Sequence, residues 1–151
     1  MDSLLHDISQ CTICKSNLPL APRPVATAHQ NSKIIIIGQA PGTKVHESGI
    51  PWDDQSGKKL RQWLNVTDEQ LLDKMPNVEL IILIGAYAQK YYLKDKAKRT
   101  LTETVGEYKS YLPEYFPVPH PSPTNRFWRS KNPWFEELVV PELRWIIRDI
   151  I

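Results

Sequence analysis

Cysteines and long apolar runs are scarce in this chain, and both shortages limit what kind of protein it can be. Cys11 and Cys14 are the only cysteines; they are too few for a cluster held by four thiolates, and in a cytosolic protein we expect no structural disulfide between them. No apolar run approaches the roughly 20 residues that span a bilayer. The start, MDSLLHDISQ, carries acids where a secretory signal has a basic segment. We therefore expect a cytoplasmic protein with no membrane contact, no metal and no cofactor.

The chain also has little net charge and few glycines. The formal net charge of +2 gives no molecule-wide field that favours nucleic acid, so any such site must be a local patch. Six glycines stand against thirteen prolines, a balance typical of stiff, ordered loops rather than flexible linkers. Hydrophobic residues make up 41% of the 151 positions, which is ordinary for a globular protein. We expect a single domain, 1–151, that acts as a monomer.

The sequence does contain apolar strands that alternate with amphipathic helices. IIII at 34–37 and VELIILI at 78–84 predict strands covered on both faces, and YFPVP at 115–119 predicts a third strand. Helices are expected at 3–14, after an N-cap at Ser56, at 67–75, at 85–93, at 101–112 and at 133–151. This order predicts an α/β fold, a three-layer α/β/α sandwich with a short, mainly parallel central sheet.

The loops that follow the strands are the candidates for a functional site. Parallel sheets bind ligands beyond the carboxyl ends of their strands. We therefore expect loops 39–54, 85–88 and 120–125 to meet there.

The first of these loops begins with GQAPG, which resembles a phosphate-binding turn but lacks its spacing. A P-loop has four residues between its glycines and then Lys and Ser or Thr. Here three residues separate Gly38 and Gly42, and Thr43 and Lys44 follow in the reverse order. The dinucleotide fingerprint is absent too, because Ala40 and Thr43 stand where it has glycines. A phosphate cradle is excluded, while a turn that merely ends a strand stays open.

The same loop continues into TKVHESGIPWDDQSG, which carries groups suited to a base. Trp52 offers a flat ring that could stack on a base, although it could equally be a core tryptophan. Glu47, Asp53 and Asp54 could orient water or bind polar edges, and His46 could act as acid or base. The two aspartates also suit the start of a helix, where the helix dipole favours acids.

The third loop, HPSPTN at 120–125, fixes one histidine between prolines. Rigid placement of His120 suits a hydrogen-bond donor that must not move, although a lone histidine is more often structural. Ser122 and Asn125 offer hydroxyl and amide groups that suit phosphate contact. The segment RFWRSKNPW that follows interleaves basic and aromatic residues. This pattern is typical of a nucleic-acid surface, but also of a helix start with core aromatics.

GQAPG after the first strand and HPSPTN after the last together resemble the uracil-DNA glycosylase superfamily, in which two such loops flank the base pocket. The likeness is greatest to the branch related to the iron–sulfur (family four) bacterial and archaeal enzymes. It covers most of the chain through CTIC, GQAPG…HESGIPWDDQSGKKLRQWL, LIGAYAQKYYL, YLPEYFPVPHPSPTN and NPWFE. The resemblance implies a DNA glycosylase that hydrolyses the N-glycosidic bond of a flipped-out base, uracil or another damaged base, in base-excision repair.

The resemblance also implies roles for particular residues. His120 would donate to the carbonyl oxygen of the departing base, and Gln39 would position water, as the catalytic pair. The base would be held by Gly38, Ala40, Pro41, Gly42, Trp52 and Asp53, with the Trp52 ring stacked on it. The DNA would be bound by Lys44, Ser122, Asn125, Arg126 and Arg129. Gln39 stands where the iron–sulfur enzymes have an acid. We therefore expect general-base activation of water to be weaker than in those enzymes or to depend on another residue.

The chain departs from the superfamily pattern in the middle. Between WLNV and VELIILIG, relatives carry a further strand, a Gly/Pro-rich loop and two more cysteines, whereas only TDEQLLDKMPN stands here. Cys11 and Cys14 would then be an incomplete remnant of a cluster site, so we expect a colourless, metal-free protein with slow uracil excision. Two other interpretations stay open. One is a superfamily relative that binds nucleic acid or a nucleobase without cleaving it, and the other is an unrelated α/β ligand-binding domain.

Overall fold

The computed structural model describes residues 2–29, 32–66 and 78–151. The helix that the sequence predicts at 67–75 lies outside the described residues. None of the helices in the described ranges is long and apolar enough to cross a membrane.

A parallel three-stranded sheet forms the centre of the described fold. Its strands are β1, Ile34–Ile37; β2, Leu80–Ile84; and β3, Tyr115–Val118, with β2 between the other two. Ile37 pairs with Leu83, and Ile84 pairs with Val118, so the three strands end at the same edge of the sheet. The predicted α/β fold with a parallel sheet is confirmed.

Among the described residues, one helix precedes the first strand and others follow each strand. They are α1, Asp2–Ser9; α2, Thr43–Ser48; α3, Gln55–Leu64; α4, Gly85–Leu93; α5, Leu101–Gly106; α6, Arg126–Lys131; and α7, Val140–Ile150. Short 3₁₀ turns lie at Lys15–Asn17, Lys94–Lys96, Tyr108–Tyr111 and Pro123–Asn125, and a π-helical turn, Phe135–Val139, runs directly into α7. GQAPG therefore connects β1 to α2, and HPSPTN connects β3 to α6.

The two faces of the sheet carry two separate apolar clusters. Leu80, Ile82 and Ile84 of β2 belong to the larger cluster, to which α3 and α7 contribute. Leu83 belongs to the smaller cluster, to which α4 contributes. Successive strand residues point to opposite faces, so β2 is covered on both sides. This explains why its sequence is apolar throughout.

Some predicted helix boundaries are wrong, for local reasons. The first helix ends at Ser9 rather than at residue 14, because the backbone then changes to tighter turns, in which the Cys11 N–H donates to the Ile8 carbonyl at 3.1 Å. The N-cap of α3 is Asp54 rather than Ser56, because the Asp54 carboxylate accepts from the Gly57 N–H at 2.8 Å. Helix α5 ends at Gly106, and a 3₁₀ turn completes the predicted 101–112 segment.

Two short helices lie in segments that the sequence patterns leave as loop or as an ambiguous helix start. Helices α2 and α6 have six residues each. Fewer than two turns of helix show no clear periodicity, which is why the apolar pattern does not reveal them.

Candidate active site

A cleft of about 1010 Å³ opens where the strands end and continues along β1. Of the predicted site residues, those that line it are Gly38, Gln39, Ala40, Pro41, Gly42, Trp52, His120 and Ser122. Ligand pockets in proteins typically measure about 300–1,000 Å³. The first and third predicted loops therefore share one cleft of ample size for a base and its sugar.

Gly85, the first residue of α4, lies between the side chains of these two loops. Its φ of +81° lies in the left-handed region that glycine favours. A Cβ built on it would lie 3.9 Å from Gln39 Oε1 and 3.9 Å from His120 Cδ2. The two predicted catalytic side chains are therefore no more than twice that distance apart. One base can reach both.

His120 is held as a neutral hydrogen-bond donor. Burial of its ring lowers the pKa below the ordinary value for histidine, and the negative charge of Asp54 opposes this shift without reversing it. The backbone N–H of Ser122 donates to Nδ1 at 3.2 Å. A neutral imidazole whose Nδ1 accepts carries its proton on Nε2. The His120 side chain therefore brings an Nε2–H donor to the cleft.

The loop around His120 is braced by its neighbours. Asn125 Nδ2 donates to the His120 carbonyl at 3.0 Å, and Arg129 Nη1 donates to the Ser122 carbonyl at 3.1 Å. The Arg129 side chain is only 17% exposed. In this structure Asn125 and Arg129 fix the loop, and their predicted contacts with DNA stay predictions.

Trp52 lies beside His120 in a strained backbone conformation. The two ring centroids are 6.4 Å apart. The Trp52 φ of +61° costs a non-glycine residue on the order of 1–3 kcal/mol. Arg61 Nη1 donates to its carbonyl at 3.2 Å, and a Cβ at Gly38 would lie 2.8 Å from its ring. Trp52 also packs against the larger cluster, so it serves the core and lines the cleft at once.

Gly57 leaves room for this conformation of Trp52. A Cβ on Gly57 would overlap the Trp52 carbonyl oxygen. Replacing Gly57 by alanine is expected to lower the free energy of unfolding by about 1–3 kcal/mol, the usual cost of overpacking, as measured by chemical denaturation. The matched control is Gly106→Ala, whose Cβ would lie 3.8 Å from the nearest atom, in the Trp134 ring. Equal destabilisation by the two substitutions would contradict this explanation.

The two adjacent aspartates have different positions. Asp54 lines the cleft. One of its oxygens accepts from Gly57, and the other lies 4.0 Å from the Cβ position of Gly42. Asp53, predicted to hold the base, is not among the cleft-lining residues, and its carboxylate lies 4.0 Å from Lys44 Nζ. The helix-start interpretation is right for Asp54.

The predicted basic surface is only partly exposed. Lys44 is 67% exposed, and Arg126 is exposed with its guanidinium carbon 5.2 Å from the centroid of the Phe127 ring. Trp128 and Trp134 pack against the larger cluster instead. Both interpretations of RFWRSKNPW are therefore partly right: its first residue is an exposed basic group, and its tryptophans pack against the core.

Gly57 and Arg61 support the site, and sequence reasoning missed both. A signal for Gly57 exists, because DDQSG places an acid three residues before a glycine, which is the spacing of an N-cap carboxylate and the N–H it accepts from. Arg61 has no such signal, because its contact with the Trp52 carbonyl depends on how the loop turns back over α3.

Cys11 and Cys14 are free in the structure, Cys11 partly exposed and Cys14 exposed. Within residues 2–29, 32–66 and 78–151, no three His, Cys, Asp or Glu side chains gather as a metal ion requires. A cubane cluster needs four thiolates, and the whole chain has two cysteines. An iron–sulfur cluster of the family-four kind therefore does not fit this chain.

The fold and the cleft define an α/β protein that presents a neutral histidine donor and an aromatic ring beyond a parallel sheet. A family model described as the uracil DNA glycosylase superfamily matches residues 25–75 and 67–144. The matched ranges contain both loops of the cleft and cover most of the chain. The chain belongs to the uracil DNA glycosylase superfamily, which acts on DNA. The two ranges overlap at 67–75, inside the stretch where the sequence resemblance is interrupted.

Proposed function

We propose that the protein is a DNA glycosylase that removes flipped-out uracil from DNA by hydrolysing its N-glycosidic bond, in base-excision repair. The observation that carries this proposal is the neutral Nε2–H donor of His120 beside the Trp52 ring in one cleft. Superfamily membership supports a glycosylase-like activity. The working unit is a single domain, 1–151, that acts as a cytoplasmic monomer.

His120 acts on the departing base. When the bond between sugar and base breaks, both electrons stay with the base, and the sugar becomes oxocarbenium-like. Negative charge grows on the carbonyl oxygen of the base, and a fixed donor stabilises that charge more than it stabilises the bound substrate. A neutral donor keeps its proton throughout, so uracil leaves as an anion.

Gln39 and Asp54 serve the sugar side of the bond. Gln39 has no ionisable group, so it orients the attacking water without taking its proton, and that proton passes through solvent to the uracil anion, which is released as neutral uracil. The Asp54 carboxylate lines the same cleft and lies close enough to His120 for its charge to oppose the fall in the His120 pKa. Its negative charge stabilises the oxocarbenium-like sugar.

The extruded base is held by the first loop, Gly38–Gly42, and by Trp52. Extrusion of the base from the stack costs a few kcal/mol, and its stacking on an aromatic ring offsets about 1–3 kcal/mol of this cost. The exposed charges of Lys44 and Arg126 contact the flanking phosphates, together with Ser122, whose hydroxyl also caps the 3₁₀ turn by accepting from the Thr124 N–H. Asn125 and Arg129 position His120 through the loop they brace.

The motifs CTIC and NPWFE favour the branch related to the iron–sulfur enzymes, with the cluster lost. We expect the purified protein to be colourless and free of iron, because Cys11 and Cys14 supply only half of the ligands. Iron analysis and the visible absorption spectrum measure this. A brown protein with near-stoichiometric iron would contradict it.

The pH dependence of excision should report the neutral state of His120. Burial places its pKa below the ordinary value of about 6.5, so the donor stays neutral down to and below that pH. We expect the single-turnover rate constant to hold steady down to about pH 6.5 and to fall only below it. A decline that begins well above pH 6.5 would show that a protonated form is needed.

The pH dependence of the free energy of unfolding is the control for the pH profile of the rate constant. Unfolded histidine binds a proton more readily than the buried ring, so the His120 contribution destabilises the folded state as pH falls from about 6.5 towards the lowered pKa. Denaturation midpoints at each pH therefore separate loss of fold from loss of chemistry.

The proposal is tested by alkaline cleavage of a single-stranded oligonucleotide that contains one uracil. Breaks at the uracil position, and none in the matched thymine oligonucleotide, support it. Gel retardation without breaks would instead favour a superfamily relative that binds without cleaving. Neither retardation nor breaks would favour a ligand-binding domain.

A further inference from the structure

Helix α4 and the residue that caps its C-terminus expose two tyrosines and two lysines to solvent. Tyr87 is 73% exposed and Tyr91 is 75% exposed, while Lys90 and Lys94 are exposed beside them. The spacing of Tyr87, Lys90 and Tyr91 places them along one side of α4, and Lys94 follows as the C-cap residue with a φ of +50°. The opposite side is anchored by Leu93, which is 3% exposed. We call Tyr87, Lys90, Tyr91 and Lys94 the Tyr–Lys face.

The fold does not use the rings of Tyr87 and Tyr91 for its core. Tyr92 differs from them, because it is only 37% exposed and packs beside Tyr115 at a centroid distance of 6.4 Å. Tyr92 and Tyr91 meet edge to face at 5.1 Å. This contact orients the Tyr91 ring while most of it stays in solvent. Exposed aromatic rings that lie together on one surface favour an interaction site over a role in folding.

The Tyr–Lys face begins next to the cleft. Helix α4 starts at Gly85, whose Cβ position is 3.8 Å from His120 Cβ and 3.9 Å from Gln39 Oε1. Tyr87 is two residues further along the same helix. The Tyr87 end of the face therefore lies nearest the cleft, and the face runs from there towards Tyr115 at the start of β3.

We propose that the Tyr–Lys face binds unpaired nucleotides next to the extruded base, with Tyr87 and Tyr91 stacked on bases and Lys90 and Lys94 on phosphates. This inference rests on the proposed function and adds single-stranded DNA as the preferred substrate. Every base has a π-face, so stacking on tyrosine tolerates any sequence. Inside a duplex those faces are already covered by neighbouring base pairs.

Spacing and charge favour an unpaired strand over a duplex or a protein. Tyr87 and Tyr91 are four residues apart, about 6 Å along the helix axis. Stacked nucleotides advance only about 3.4 Å along each strand of a duplex. The two tyrosines are therefore spaced more widely along the helix than stacked bases are along a duplex strand, which favours bases that have been pulled apart. The segment 86–94 contains two lysines and no acid. The formal charge of this segment is therefore positive, which suits a strand of phosphates.

The test is fluorescence anisotropy with a labelled oligothymidylate of about 12 nucleotides, within the site sizes of single-strand binders. Thymine is not excised, so binding is measured apart from chemistry. Replacing Tyr87 and Tyr91 together by alanine should weaken single-strand affinity at least tenfold. Affinity for a duplex of the same length should change less than threefold. Replacing both by phenylalanine keeps the rings and should preserve single-strand affinity.

Further outcomes of these binding measurements decide the inference. Replacing Lys90 and Lys94 by glutamine should reduce the slope of log affinity against log salt by roughly 0.7 for each phosphate that the protein no longer neutralises. Equal loss of single-strand and duplex affinity in the alanine pair, or no loss, would overturn the proposal. So would a wild-type dimer that the alanine pair converts to monomer, since the face would then bind a second copy. If uracil excision is absent but the tyrosine effect is found, the proposed function fails and the face remains a single-strand site.

Discussion

Replacing His120 by alanine should slow uracil excision by about 10²–10³-fold, the largest effect expected of any single change in this chain. Removal of one preorganised donor to a developing negative charge typically costs about 3–4 kcal/mol of barrier. The donor is preorganised because Ser122 fixes its tautomer and Asn125 holds its backbone. Single-turnover excision with protein in excess measures the loss without interference from product release.

His46→Ala is the matched control. The sequence alone offers His46 as an acid or base, but its ring nitrogen lies 3.1 Å from the Leu20 carbonyl and the residue does not line the cleft. Its replacement should leave the rate constant within about threefold, as expected for a residue that contacts no reacting atom. A loss of rate as large as that of His120→Ala would end the assignment of His120.

Replacing Trp52 by alanine should lower kcat/KM for uracil excision by about 10- to 100-fold. Stacking of a base on an aromatic ring is worth about 1–3 kcal/mol. The ring is held at a defined place, by its contact with Gly38 and by the Arg61 bond to its backbone. Because stacking stabilises the bound base before and during bond cleavage, we expect most of the fall in kcat/KM to appear as a higher KM.

Two companion variants separate stacking from folding. Trp52→Phe keeps an aromatic face and should retain kcat/KM within about fivefold, since every aromatic ring can stack. Trp145→Ala removes a tryptophan that is 57% exposed on α7, outside the cleft, and should have no effect on excision. An unchanged KM for Trp52→Ala in a folded protein would contradict the stacking role.

The strands and the loops at their ends were predictable because the signals for them are local. IIII and LIILI are apolar at every position, which occurs when both faces of a strand are covered, and the structure pairs them as β1 and β2. Proline and glycine mark where each strand stops. Since parallel strands end at one edge, the meeting of GQAPG and HPSPTN also follows from sequence.

The details of the cleft were not predictable, because they depend on contacts between distant segments. The positive φ of Trp52 is tolerated only because Gly57 leaves space and Arg61 binds its carbonyl. Arg129 looks like a DNA contact from its neighbours in sequence, yet the fold turns its guanidinium towards the Ser122 carbonyl. Short helices such as α2 carry too few residues to show a period.

The most direct measurement is the mass of a single-stranded oligonucleotide with one uracil after incubation with excess protein. We expect loss of uracil and gain of a hydroxyl group at that nucleotide, with free uracil recovered in equal amount. His120→Ala, purified from the same host, should leave the mass almost unchanged, which excludes a contaminating host enzyme. An intact oligonucleotide that the wild-type protein binds but does not alter would contradict the proposed hydrolysis and assign the cleft to binding alone.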